Sequence, residues 1–450
     1  MQTALLILAL LSGTTPQDSS LKAGEGVTDI TPPVGTELAG FHRAPGQERR
    51  STGVRQASSA RALVLSAKGT DVVIVSLDLC GVSQEFTREV QAEVSRKTSI
   101  PARNIRIAAT HTHSMPTLRY FRQWGRLPRE YAETVSARIL EAVELARKDQ
   151  APAELRLGKE RVSGGNFNRT TKSWKTGDLF TKESTDNERW LDTTLHALVF
   201  VRDSGRRNLV WYQFSAHTVC YKDGNSGPDW PGRVAEKMKQ GDEKISPSFL
   251  QGHCGDVNPG SGDPWLGDPE KVSDAVVAAL RQAIKAARRI PVEEIRQATG
   301  EFAVPLDLEK LKEQLEQYRS DPSKCTKGEW VDAGFAKEWY EVASKWDLAK
   351  TTYATPVTAL RLGDLAVLFH SGELYSYYGL ALRRDSPFAD TVVVGYTDDL
   401  IGYVPDPKAY EAKEYAAMVV PKIMDLPTFK PDVARLFTAR ALELLKQLKD

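Results

Sequence analysis

Ile105-Arg106-Ile107-Ala108-Ala109-Thr110-His111-Thr112-His113-Ser114-Met115-Pro116 is the stretch on which the fold is read. A short apolar run of this kind reads as a buried strand, and Ser-Met-Pro after it turns the chain. Residues two apart on a strand share a face, so the spacing predicts that His111 and His113 leave the sheet side by side at its end. Open α/β sheets place their sites there. Neutral imidazole is a frequent zinc ligand, and a second imidazole beside it can move protons near neutral pH. Alone, His-x-His at a strand end is as readily a surface pair, so its weight depends on what converges on it.

Working outward, the same arrangement recurs. Leu209 to Phe214 runs into Ser215-Ala216-His217, and Pro247 to Gln251 runs into His253-Cys254-Gly255-Asp256-Val257-Asn258-Pro259-Gly260. Leu365 to Phe369 runs into His370-Ser371-Gly372-Glu373, and Val392-Val393-Val394 leads on to Tyr396 and Tyr403. A structural role alone gives no reason for strands to end repeatedly in His, Glu or Tyr. Further strands read at residues 62–67, 72–78, 154–157 and 195–201. Helices read at 84–98 and at 129–148, where Tyr131, Val135, Ile139 and Val143 recur at the spacing of one buried face. Strands alternating with helices predict an α/β protein with mixed β-sheets flanked by helices. Asp78 ends a buried run and needs a partner; it either orients one of the histidines or caps the next helix, and the first reading is preferred.

Lys and Arg number 60 against 59 Asp and Glu, a formal net charge of +1. This balance provides no field to steer the chain to nucleic acid. Residues 1–20 carry an apolar run, Ala4 to Leu11, too short to span a bilayer and suited to a secretory leader. No Lys or Arg precedes that run. The expectation is a secreted or periplasmic protein with no transmembrane segment in the mature chain; a buried N-terminal element is the other reading. Cys80, Cys220, Cys254 and Cys325 allow a Cys220–Cys254 bridge beside the site or four separate thiols. Residues 307–346 read as a charged helical segment, either a cap over a pocket or a surface insertion. Tyr410 to Met418 reads as one helix. Residues 432–450 read as an amphipathic packing helix with Val433, Leu436, Phe437, Ala441, Leu444 and Leu448 on its stripe. There is no phosphate-binding glycine loop and no His-Glu-x-x-His.

Seven stretches in order carry a family resemblance: Gly26 to Pro32, Thr110 to Ser114, Gly165 to Arg169, Ala216-His217, Gly255 to Pro259, Ser371 to Glu373, and Tyr403 through Tyr415. Together they resemble the catalytic N-terminal domain of the neutral, non-lysosomal ceramidases. The resemblance implies one Zn2+ held by His111, His217, Glu373 and Tyr403. Two imidazoles and a carboxylate are a usual catalytic zinc set in their own right, whereas Tyr403 without the resemblance reads as a core aromatic. It further implies Arg169 and Tyr415 as catalytic groups near the metal; His113, beside His111, is placed to relay a proton to the leaving amine, and Asn258 reads as a substrate contact. Arg169 read alone is as well a turn residue, and Tyr415 a buried helix residue. The implied activity is cleavage of the amide of ceramide, or of a related N-acyl lipid, through a metal-activated water. The alternatives are a zinc hydrolase of another acyl amide or ester, and a catalytically silent zinc- or lipid-binding protein. Two departures stand out. The family carries Ser where this chain has Asn258, and an amide is neither a nucleophile nor a proton shuttle. The family also continues into an immunoglobulin-like domain, whereas residues 21–450 read as a single catalytic domain with none following. Oligomeric state is not legible.

Overall fold

The computed structural model describes residues 21–449 apart from 125–126, 203–204, 242–244 and 332–333. The expected leader therefore lies outside the described residues. Two mixed sheets pack face to face, each with helices on its outer side. The larger, nine-stranded sheet runs in the order Ser248–Gln251, Leu209–Phe214, Thr194–Arg202, Ala151–Arg161, Lys22–Asp29, Ser59–Ala67, Thr70–Leu77 and Ile105–Ala109, with Arg288–Ile290 beside Ala151–Arg161. The smaller follows the order Ile295–Pro305, Thr352–Leu362, Leu365–His370 and Asp390–Val394.

Side-chain alternation builds these layers. In Ser59–Ala67, Leu63 and Leu65 enter the core between the sheets, while Ala62 and Val64 face the helices Gln84–Thr98 and Arg129–Lys148. In Leu209–Phe214, Trp211 points between the sheets and Tyr212 towards the helices Trp230–Gln240 and Pro269–Lys285. In the smaller sheet Val367 and Phe369 join the inter-sheet core, and Ala366 and Leu368 turn outward to the cluster that includes the helix Val433–Lys449. The α/β expectation holds, and the helices at 84–98 and 129–148 have the expected bounds. Ser83 starts the first of them, its hydroxyl accepting from Phe86 N at 3.2 Å.

Two helical expectations are corrected. The single helix over 410–418 is two, Pro407–Glu411 and Tyr415–Met418, because Lys413 adopts a left-handed φ of 53° that no helix can continue. Leu436 is 45% exposed, since at roughly 100° per residue it falls outside the arc of Val433, Phe437, Ala441, Leu444 and Leu448.

Within the two large sheets three strand pairs are parallel: Thr70–Leu77 with Ile105–Ala109, Leu209–Phe214 with Ser248–Gln251, and Leu365–His370 with Asp390–Val394. Residues just beyond the carboxyl ends of these pairs meet at one place.

Candidate metal centre

His111 follows the strand Ile105–Ala109 in a left-handed conformation, φ 61°. Its ring and that of His113 stand side by side as expected, but this turn, not the strand pleat, puts them there. Their Nε2 atoms are 3.1 Å apart. Gly40 sits against His113 at φ 95°, where a Cβ would come within 2.3 Å of the imidazole. His217 arrives from Leu209–Phe214, and the two histidine segments are laced together. Thr218 Oγ1 donates to Thr110 O at 2.9 Å, and His113 N donates to Thr218 O at 2.9 Å. Below them Gln251 Nε2 donates to Ala216 O at 2.9 Å and to Thr110 O at 3.2 Å, so one buried amide spans both histidine-bearing strand ends.

His111 Nδ1 lies 2.7 Å from Cys80 O, and His217 Nδ1 lies 2.9 Å from Val257 O. A nitrogen facing a carbonyl must carry the proton, which leaves each Nε2 with a lone pair. Both lone pairs face Glu373 Oε2, from 3.6 Å for His111 and 3.3 Å for His217. Burial, opposed by Glu373, pushes His111 down to about 4, and burial holds His113 and His217 well below the usual imidazole range. All three rings are neutral at pH 7, the state a metal ligand needs. Glu373 is delivered by a two-residue parallel ladder, Glu373–Leu374 with Tyr403–Val404, in which Glu373 and Tyr403 are register partners. Gly255 makes room for that ladder: a Cβ there would fall 2.3 Å from Glu373 O.

His217 Nε2 and Glu373 Oε1 are fully buried without a hydrogen-bond partner among the described residues. Buried polar atoms left unpaired call for an explanation. A cation ligated by His111, His217 and Glu373 supplies one, since their ligand atoms lie within 4.8 Å of one another. Cys80 with His111 and His113 makes a second such group. Burial, reinforced by Glu373, raises the Cys80 thiol far above its usual range, and a protonated thiol is a poor ligand.

Around this trio Arg169 Nη2 donates to Tyr403 Oη at 2.7 Å and to Gly255 O at 2.8 Å, and Arg169 Nη1 donates to Asn258 Oδ1 at 3.1 Å. Burial raises the Tyr403 phenol, against the pull of Arg169. Asn258 is buried, and its Nδ2 donates to Trp265 O at 2.9 Å. Tyr415 stands at the rim, 37% exposed, rather than buried in a helix. Its hydroxyl is 2.6 Å from His42 Nε2 and its ring centroid 6.2 Å from that of Tyr403.

Asp78 does not orient a histidine. Its carboxylate takes the Ser59 amide and hydroxyl at 2.8 and 2.9 Å, nor does it cap the next helix, because Ser83 does. Of the two readings of the cysteines, the four separate thiols hold and the Cys220–Cys254 bridge does not: all four are free, and Cys254 Sγ lies 3.0 Å from Tyr396 Oη. Tyr396, just past a strand end, has no role legible in the sequence. It stacks on His111 at 4.3 Å between centroids and donates to Glu373 Oε2 at 3.3 Å. His42, Gln251 and the buried Asp192, which meets Arg383 at 2.7 Å and His253 at 2.9 Å, gave no sequence signal.

Residues 21–284 match the family model described as "Neutral/alkaline non-lysosomal ceramidase, N-terminal". Neutral ceramidase A of Dictyostelium discoideum is 26% identical over 273 residues, 56% of this chain and 37% of that protein. Neutral ceramidase of Pseudomonas aeruginosa is 25% identical over 275 residues, 57% of this chain and 40% of that one. The match thus spans about two fifths of the length of these curated relatives. The crystal structure of the Pseudomonas aeruginosa neutral ceramidase superposes with a TM-score of 0.71 at 18% identity, covering 96% of this chain and 75% of that chain. A structure described as ceramidase complexed with C2 gives 0.73 at 17% identity, covering 96% and 76%. With more than half of its residues under the family model, the chain belongs to the neutral/alkaline non-lysosomal ceramidase family.

Proposed function

We propose that the chain is a zinc-dependent hydrolase that cleaves the amide bond of ceramide or of a closely related N-acyl lipid. The observation that carries this reading is the convergence of two neutral imidazole Nε2 atoms on one buried carboxylate, each ring locked by a carbonyl behind it. His111, His217, Glu373 and Tyr403 would hold Zn2+. When bound, the ion supplies Lewis acidity for a carbonyl and lowers the pKa of water. The chain's own groups complete the chemistry. His113, beside His111 and walled by Gly40, is the proton carrier for the leaving amine. Arg169 fixes the Tyr403 hydroxyl, and its guanidinium charge, together with the Tyr415 hydroxyl at the rim, stabilises the developing negative oxygen of the substrate. Asn258 keeps one N–H and one lone pair beyond its bonds to Trp265 and Arg169, enough for a substrate contact.

Residues 21–450 would act as one catalytic unit behind a cleaved leader, and the protein would work outside the cytoplasm. No helix among the described residues is long and apolar enough to cross a membrane. The 307–346 segment serves as the cap: Phe335 takes the guanidinium of Arg43, the neighbour of His42, at 5.5 Å.

The test is metal content together with fatty-acid release from ceramide, on wild type and His111→Ala. About one zinc per chain, lost with activity in the variant, is expected. A well-folded wild type without zinc sinks the mechanism. Zinc without ceramide turnover moves the substrate to another acyl amide or ester, the reading that Asn258 in place of the family Ser would favour.

A further inference from the structure

The two-stranded ribbon beside the centre pairs Asn166–Asn168 with Val257–Pro259, Phe167 opposite Asn258. Asn166 and Asn168 point inward: Asn166 Nδ2 donates to Asp192 O and Ser215 O, both at 2.8 Å, and Asn168 Nδ2 to Trp190 O and Asp256 Oδ2 at 2.9 and 2.8 Å. By alternation Phe167 shares the opposite face with Arg169. On that face Trp265 meets Phe167 edge-on at 5.4 Å, and Trp174 tilts against it at 6.5 Å. Phe167 is buried, but Trp265 is 56% exposed. The Trp265 loop is nonetheless held. Its carbonyl accepts from the Asn258 amide nitrogen, the Asn258 amide oxygen accepts from Arg169, and Arg169 donates in turn to the Tyr403 hydroxyl. Three hydrogen bonds in series thus join an exposed indole to the candidate centre.

An exposed tryptophan leaves a large apolar area in water, and covering that area is favourable. A rigid aromatic on a fixed loop contacts an apolar ligand with little loss of side-chain entropy. We propose that Trp265, backed by Phe167 and Trp174, is a binding ledge for the hydrocarbon chain of the substrate. The occupant follows from continuity: with the amide at the metal centre, a chain leaving past Arg169 and Asn258 next meets this face. The inference rests on the proposed amidase reading and adds to it which residues select for chain length.

Two measurements test it. The first is kcat/KM for N-palmitoyl against N-acetyl sphingosine in wild type, Trp265→Ala and Trp265→Phe. The long-to-short ratio is expected to fall about tenfold in Trp265→Ala and less in Trp265→Phe; an unchanged ratio in a folded Trp265→Ala overturns the ledge. The second is quenching of tryptophan emission by an N-acyl sphingosine carrying a brominated stearoyl chain. The emission component missing from Trp265→Phe is expected to be the one quenched, and a residual quenching identical in the two proteins overturns the proposal. If wild type releases no fatty acid from any amide, the parent reading falls while the quenching still decides the ledge.

Discussion

His42 and Tyr415, 373 residues apart in sequence, share a 2.6 Å hydrogen bond at the rim of the centre. If they work as one unit, the double variant should lose little more than either single. His42→Ala and Tyr415→Phe are each expected to lower kcat by about tenfold to a hundredfold, and the pair far less than the product, measured as a double-mutant cycle on ceramide turnover. Full additivity would separate the two residues. Gly40 is held for a different reason. Its φ of 95° and the 2.3 Å approach of a would-be Cβ to His113 predict that Gly40→Ala costs about 1–3 kcal/mol of stability and displaces the imidazole. Denaturant melts check the first effect and turnover the second; a stable, fully active variant would remove His113 from the site. Of the residues singled out from sequence, the strand-end groups were legible because a strand's carboxyl end is where chemistry collects. Arg169 and Tyr403, 234 positions apart, were legible only through resemblance, since no local pattern tells an arginine which phenol it will meet.

The 307–346 segment is fastened to the short helices after Tyr403 by Lys422, which is buried. Its ammonium donates to Glu329 O at 2.8 Å and Met418 O at 2.6 Å and lies 5.5 and 5.8 Å from the Trp330 and Trp339 rings. Burial, opposed by Glu329, lowers it from 10.5 to about 7. Between those values the unfolded chain binds the extra proton, so stability rises with pH across that window, by at most about 1.4 kcal/mol per unit. Below about pH 7 both states are charged and the slope vanishes. Unfolding free energies of wild type and Lys422→Met from pH 6 to about 10 should show that rise in wild type alone. Parallel curves would mean that Lys422 keeps its ordinary acidity. At this scale the sequence read well where period alone decides, as in the helices at 84–98 and 129–148. It failed at 410–418, where one left-handed residue splits a helix, and at Asp78, whose Ser59 partner comes from a neighbouring strand.

The whole molecule is two sheets sharing an apolar core, with the candidate centre beyond the carboxyl ends of their parallel strands. Asp192 ties the layers behind it. Burial raises its carboxyl, but Arg383 and His253 outweigh this and hold it well below the usual range. A depressed carboxylate contributes stability that is present above its unfolded pKa near 3.9 and lost as pH falls through the folded value. Asp192→Asn is therefore expected to cost about 3–5 kcal/mol at pH 7, and its gap from wild type in denaturant titrations should close only in strong acid. The four layers could be foreseen from alternating strands and striped helices. The Asp192 cluster could not, because its members come from three distant stretches and none follows a periodic pattern. The ladder of Glu373 with Tyr403 has an evolutionary corollary. Its two rungs fix both side chains by backbone bonds, Glu373 N to Gly402 O at 2.8 Å and Tyr375 N to Val404 O at 3.3 Å. Nearly thirty residues loop out between the rungs and return. A residue inserted at Ser386-Pro387, where the excursion is only partly buried, would leave Glu373 and Tyr403 in register, whereas a single residue gained or lost at 402 would turn the tyrosine away.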